Sequence, residues 1–230
     1  MPTPVFVIPA PEQASIAVDG TDARFAVRRI FCVGRNYAEH AREMGHDPDA
    51  EPPFFFTKPA DAVVQSGAAI PFPAQTQDLH HEAELVVAIG VGGSDIPVSA
   101  ALAHVWGYAA GNDLTRRDMQ AAAKAARRPW DMSKGFDQSA VIGALHRAEN
   151  GAVPQGRIRC LVDGEMRQDA DLAEMIWPVE GIIAHLSALV ALAPGDLIMT
   201  GTPAGVGPIT AGQVCVVEID GLSPAAVTVG

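Results

Sequence analysis

Residues 197–219 read LIMTGTPAGVGPITAGQVCVVEI, two apolar runs held apart by a glycine-rich turn. Leu197 to Thr200 and Val214 to Ile219 have strand length and run apolar or alternate, and the glycines between them are turn signals. The same grammar extends upstream. Gly181 to Leu192 repeats apolar residues at helical spacing and stops at Ala193-Pro194-Gly195. Thr115 to Arg127 is Ala-rich and helix-prone and is stopped by Pro129. Val105 to Ala110, Leu85 to Ile89 and Ile30 to Val33 read as strands, and Phe54-Phe55-Phe56 before Lys58-Pro59 as a buried run. Ala38 to Met44 fits a short helix that Asn36 can cap and Gly45 ends. Ser15 to Val18 with the turn Asp19-Gly20 suits a hairpin. The order predicts a β-rich α+β chain with two or three helices, and not the β-α-β alternation of a doubly wound sheet. Residues 1–25 read as an N-terminal arm and 26–230 as a single catalytic domain.

The 230 residues fit one large domain. Sixteen Lys and Arg against 27 Asp and Glu give a net charge of −11, which leaves no basic surface for a nucleic-acid backbone or an anionic membrane. The mixture of 48% hydrophobic and 19% charged residues is globular, and no uncharged run is long enough to span a bilayer. The Pro-broken start lacks a signal-peptide core, so a cytoplasmic protein is expected. Cys32, Cys160 and Cys215 lack the paired spacing of a zinc or redox motif and read as buried thiols on strands. A P-loop, a complete dinucleotide fingerprint and a Gly-x-Ser-x-Gly elbow are all missing, so in any hydrolysis water is the attacker.

Glu82 and Glu84 stand two apart where a strand turns fully apolar, so period-two geometry puts both carboxylates on one side. A bare Glu-x-Glu is ordinarily solvated. Here a third carboxylate, Asp113, follows the apolar stretch ending at Ala110, where a strand end hands side chains to a site. Three carboxylates without a thiolate make a hard, oxygen-rich site that favours Mg²⁺ or Mn²⁺ over zinc. His80 and His81 face opposite ways on a strand, so at most one joins that cluster.

His40 and Glu43 at i, i+3 outline a general-base dyad, although an ordinary polar helix face has the same spacing. Arg116, Arg117, Arg127, Arg128 and Lys134 concentrate positive charge, either as a solvated helix or facing an anionic substrate.

Taken together, Gly34-Arg35-Asn36-Tyr37 with His40 and Glu43, His81-Glu82-Ala83-Glu84-Leu85, Asn112-Asp113-Leu114-Thr115 with Arg117 and Gln120, Lys134-Gly135-Phe136, and Thr200-Gly201-Thr202-Pro203 resemble the fumarylacetoacetate hydrolase family. Within it, Arg128-Pro129-Trp130 before Lys134-Gly135-Phe136-Asp137-Gln138-Ser139 is most similar to the small bacterial fumarylpyruvate hydrolases of gentisate breakdown. The resemblance implies a mixed β-roll, usually homodimeric, with Glu82, Glu84 and Asp113 as ligands of Mg²⁺ or Mn²⁺ and His40 with Glu43 activating water. Lys134, Arg117 and Gln120 match positions that hold a developing oxyanion, and Arg35, Tyr37 and Thr202 match substrate contacts. Arg128 is the candidate cation for the far carboxylate of fumarylpyruvate.

The implied reaction is hydrolysis of the C–C bond of a 2,4-dioxo acid, fumarylpyruvate giving fumarate and pyruvate. The alternatives are acylpyruvase, oxaloacetate decarboxylase or dioxo-acid isomerase activity on the same carboxylates, or a non-catalytic metal domain that binds a keto acid.

Overall fold

A computed structural model describes residues 5–43 and 52–230 of the chain. Its centre is a mixed eight-stranded sheet. From one edge the strands run Phe55–Lys58, Arg29–Val33, Asp196–Met199, Ala83–Ile89, Val105–Asp113, Ala140–Ile142 and Val63–Gln65, with His146–Arg147 also paired to Val105–Asp113. A five-stranded sheet packs across it in the order Glu165–Asp171, Arg157–Val162, Val214–Ile219, Ala225–Val229 and Ala68–Ile70. A small sheet of Thr115–Arg116, Leu79–His81 and Gly207–Ile209 and the hairpin Ser15–Ala17 with Arg24–Ala26 complete the strands. The architecture is the β-rich α+β roll that the sequence implies, a curled sheet with a few short helices.

Alternation along Ala83–Ile89 explains how the centre is built. Leu85, Val87 and Ile89 join the core shared with the five-stranded sheet, while Val86 and Ala88 join a second core with Ile30, Cys32 and Ala109 on the opposite face. Both faces are covered, so the strand is apolar throughout after Glu84. Glu82 and Glu84 continue the face of Val86 and Ala88. Register places Glu84 opposite Gly111 on the neighbouring strand. A Cβ at Gly111 would stand 2.5 Å from Val86 Cγ2, so only glycine leaves this layer its close approach.

The helices are Ala38–Glu43, Val98–Ala101, Arg117–Ala125, Asp131–Lys134 and Val179–Leu189, more than the two or three expected because two are single turns without a periodic signal. Helical spacing from Thr115 is overridden at its start: Thr115 and Arg116 pair with His80 and Leu79, and the helix begins at Arg117. Met44 and Gly45, expected to end the first helix, lie outside the described residues. Asn36 does not cap that helix. Its buried amide donates to the carbonyls of Trp177 and Thr200 at 2.9 and 2.8 Å and accepts from Trp177 N at 2.7 Å, tying the loop after Arg29–Val33 to two distant segments. The three cysteines are buried and free, as expected. No helix among the described residues is long and apolar enough to cross a membrane.

Candidate active site

Strand geometry converges three carboxylates. Glu82 and Glu84 share a face of one strand end, and Asp113 ends the neighbouring strand, its N–H donating to Glu82 O at 2.9 Å. Oxygens of the three lie within 4.8 Å of one another, and the residues are at most 5% exposed. Oxygens on opposite sides of an ion with bonds of 2.0–2.1 Å are about 4.2 Å apart, so drawing the cluster in by a few tenths of an ångström would let it share one hard cation.

Two of the carboxylates carry cations already. Lys134 bridges them, its Nζ 2.6 Å from Glu82 Oε2 and 2.8 Å from Asp113 Oδ2. Arg117 holds Glu82 Oε1 at 2.5 Å, and Lys58 holds Asp113 Oδ1 at 2.7 Å. Burial pushes the Glu82 pKa up, but Lys134 and then Arg117 pull harder and hold it well below the usual carboxylate range. Burial likewise disfavours the Lys134 ammonium, and Asp113 and Glu82 outweigh it, so Lys134 stays charged.

Glu84 differs. It accepts from Gly201 N at 2.7 Å, and no described cation contacts it. Burial, then the charges of Asp113 and Glu82, raise its pKa far above the ordinary value. A carboxylate in that position is the group a further cation would hold ionised, and an all-oxygen acceptor set suits a hard divalent ion. The residues therefore fit a metal. Gly201 owes its place to a φ of +93°, and a Cβ there would meet Asn36 Cβ at 2.8 Å.

A cavity opens at the Glu82 side of this cluster, lined by His40, Glu82, Arg117, Gln120 and Lys134 and by the more exposed Arg35 and Lys124. His40 is buried on the helix Ala38–Glu43 and shares the cavity wall with Glu82. The side chain of Glu43 lies outside the described residues. Arg117 donates from Nη1 to Gln120 Oε1 at 2.6 Å and from Nε to His80 Nδ1 at 3.3 Å. His80 Nε2 faces Asp78 Oδ1 at 2.9 Å, so one neutral tautomer serves both contacts, in keeping with a pKa lowered by burial and then by Arg117. His81 points to the other face, as the alternation requires.

Tyr37 packs in the core, its hydroxyl without a partner among the described residues and its pKa raised by burial and then by Glu84. Arg128 is elsewhere. It lines a neighbouring cavity with Phe54, Phe56 and Trp130.

Residues 29–230 match the fumarylacetoacetate (FAA) hydrolase C-terminal family. The chain belongs to that family. Its fold superposes with a TM-score of 0.95 on the fumarylpyruvate hydrolase of Pseudomonas aeruginosa in complex with Mn²⁺ and pyruvate, at 48% identity over 98% of this chain and 99% of that one. A fumarylpyruvate hydrolase of Ralstonia sp is 40% identical over 80% of this chain and 96% of its own length. The mitochondrial oxaloacetate decarboxylase of Dictyostelium discoideum is 41% identical over 85% of this chain and 90% of its own. This is an enzyme family of hydrolases, isomerases and decarboxylases.

Two residues of the FAA hydrolase site escape a reading of the sequence. Lys58, fully buried, reaches Asp113 and donates to Leu114 O at 3.2 Å and to Lys134 O. Gln168 accepts from Ala83 N at 3.0 Å, contacts His81 Nδ1 at 3.0 Å, and donates to Thr202 Oγ1 and Pro203 O, both at 2.8 Å. It clamps the strand bearing Glu82 and Glu84 to the turn bearing Thr202. The Gln168 signal was absent because its partners are 85 and 34 residues away.

Proposed function

We propose that the chain hydrolyses the C–C bond of a 2,4-dioxo acid, with fumarylpyruvate the first substrate to try, and that Glu82, Glu84 and Asp113 hold Mg²⁺ or Mn²⁺ for it. The observation that carries the reading is one cavity lined by the buried His40, by Lys134 and by Glu82, the outermost of three converging carboxylates. A bound divalent cation supplies charge stabilisation for the oxygens of a dioxo acid. The rest is the work of side chains. His40 takes a proton from water at the cavity wall and later delivers it to the departing carbon. Lys134 and Arg117, fixed by Glu82, place positive charge where the attacked carbonyl becomes an oxyanion, without reorganising at that moment. Gln120, buried and bonded to Arg117, orients that guanidinium. Arg35 and Thr202 contact the substrate from the cavity's outer side and from the glycine turn.

Decarboxylation of oxaloacetate is the second reading, favoured by the 41% identity to the Dictyostelium enzyme. It needs no attacking water. His40→Ala should therefore lower kcat/KM on fumarylpyruvate and acetylpyruvate by roughly 10²–10⁴-fold, the range of a positioned general base. Oxaloacetate turnover should fall much less. Assays of the three substrates with Mg²⁺, Mn²⁺ or chelator test this directly. An enzyme that turns over oxaloacetate alone, with His40→Ala unimpaired, makes the decarboxylase reading the right one. Lys134→Met should cost on the order of 3 kcal/mol in the barrier to hydrolysis, by comparison with the loss of an oxyanion donor. A mutant kcat within twofold of wild type removes Lys134 from that role.

A further inference from the structure

The helix Arg117–Ala125 turns Arg117, Gln120 and Lys124 toward the cavity, at positions i, i+3 and i+7 of a single face. The row descends into the protein at one end only. Arg117 is bonded to Glu82 and Gln120 is buried, whereas Lys124 is exposed at the cavity's outer edge. Seven residues at 1.5 Å per residue put Lys124 about 10 Å along the axis from Arg117. The inner cations are matched by Glu82 and Asp113. Lys124 is not matched: no described carboxylate pairs with it. Partial burial, then Arg35 and Arg117, bear on it and hold its pKa below the ordinary lysine value. Arg35, half-buried with its guanidinium 5.0 Å from the Phe54 ring, comes to the same edge from the loop after Arg29–Val33.

An exposed lysine with no carboxylate partner among the described residues, at the mouth of the cavity that Glu82 lines, is what the far end of a dianion would meet. We infer that Lys124, together with Arg35, forms a subsite for the distal carboxylate of the substrate, so that the enzyme selects dicarboxylic oxo acids over monocarboxylic ones of the same length. This rests on the proposed binding of the oxo-acid head over Glu82, Glu84 and Asp113. It reassigns to Lys124 the selectivity that the sequence suggests for Arg128, which lines the neighbouring cavity. Lysine serves here as a flexible point charge that can follow substrates of differing tail geometry.

The test uses two unreactive probes of equal length on the Mn²⁺-loaded full chain: 2-oxopimelate, with a carboxylate at each end, and 2-oxoheptanoate, with only one. Calorimetric titration should show wild type binding the diacid about tenfold more tightly, a size expected of a charge-assisted contact at a half-exposed site. Lys124→Gln should bring the ratio close to one, and Lys124→Arg should retain most of it. A ratio unchanged in Lys124→Gln, or absent from wild type, overturns the subsite. Fumarylpyruvate turnover on the same preparations separates this from the function itself. Turnover without probe discrimination defeats only the subsite. Discrimination lost in Lys124→Gln without any turnover supports the subsite and defeats the hydrolase assignment.

Discussion

Glu84→Gln should abolish metal-dependent turnover, lowering kcat/KM by about 10³-fold or more, and at the same time make the metal-free protein more stable. The two effects have one cause. Glu84 is buried beside Asp113 and Glu82 and accepts a single described hydrogen bond, from Gly201. Its folded-state pKa is raised, so keeping it ionised near neutrality opposes folding until a cation arrives. Glutamine keeps an acceptor for the Gly201 N–H and removes the repelled charge. A gain of about 1 kcal/mol would lift Tm by roughly 2–4 °C in a chain of this size. The loss of turnover follows because several kcal/mol of transition-state stabilisation by a bound ion, about 1.4 kcal/mol per factor of ten, depend on the ligand set. Wild-type protein at 100 times its Kd for Mn²⁺ should gain about 2.7 kcal/mol, and the variant close to none. Thermal melts with chelator and with Mn²⁺ check both signs. A variant that melts lower than wild type in chelator, yet still gains from Mn²⁺, contradicts the role given to Glu84.

Lys58→Met should be the most damaging change to the fold near the site, at about 3–5 kcal/mol, the range for leaving a buried charge without its partner. Lys58 is 2% exposed and its ammonium meets Asp113 Oδ1 at 2.7 Å together with the carbonyls of Leu114 and Lys134. Methionine fills most of the volume but satisfies none of these groups. The carbonyl of Lys134 ends the single turn Asp131–Lys134, so the position of the Lys134 side chain should loosen as well. Denaturant unfolding reads the loss, and an unchanged midpoint would show that Asp113 is compensated from elsewhere. Lys58→Arg is a useful second variant, since it keeps the charge and changes only the shape of the group that carries it.

The contrast between Glu84 and Lys58 shows what the sequence could reveal. Glu82 and Glu84 were legible because strand periodicity puts alternate residues on one face, and the apolar run from Leu85 marks that strand as covered. Asp113 was legible from the end of its strand. Lys58 carries no such mark: a lone lysine before a proline reads as the exposed end of a run, and only the pairing of Phe55–Lys58 with Arg29–Val33 brings it inward. Distance along the chain hides Gln168 in the same way. Its hairpin, Arg157–Val162 with Glu165–Asp171, did have a local signal in Asp163-Gly164, both at positive φ as a tight primed turn requires. The helix from Thr115 was misplaced by two residues because pairing with Leu79–His81 outweighs helical propensity there. The pairing makes Arg117 the first residue of the helix and so sets Gln120 and Lys124 on its cavity face.

Anomalous scattering from a Mn²⁺-soaked crystal bears most directly on the claim that three acidic side chains grip one ion. The account predicts one strong peak per chain at the manganese edge, about 2.0–2.2 Å from an oxygen of each of Glu82, Glu84 and Asp113. A peak that leaves any of the three outside bonding distance, or manganese bound only at the protein surface, would contradict it.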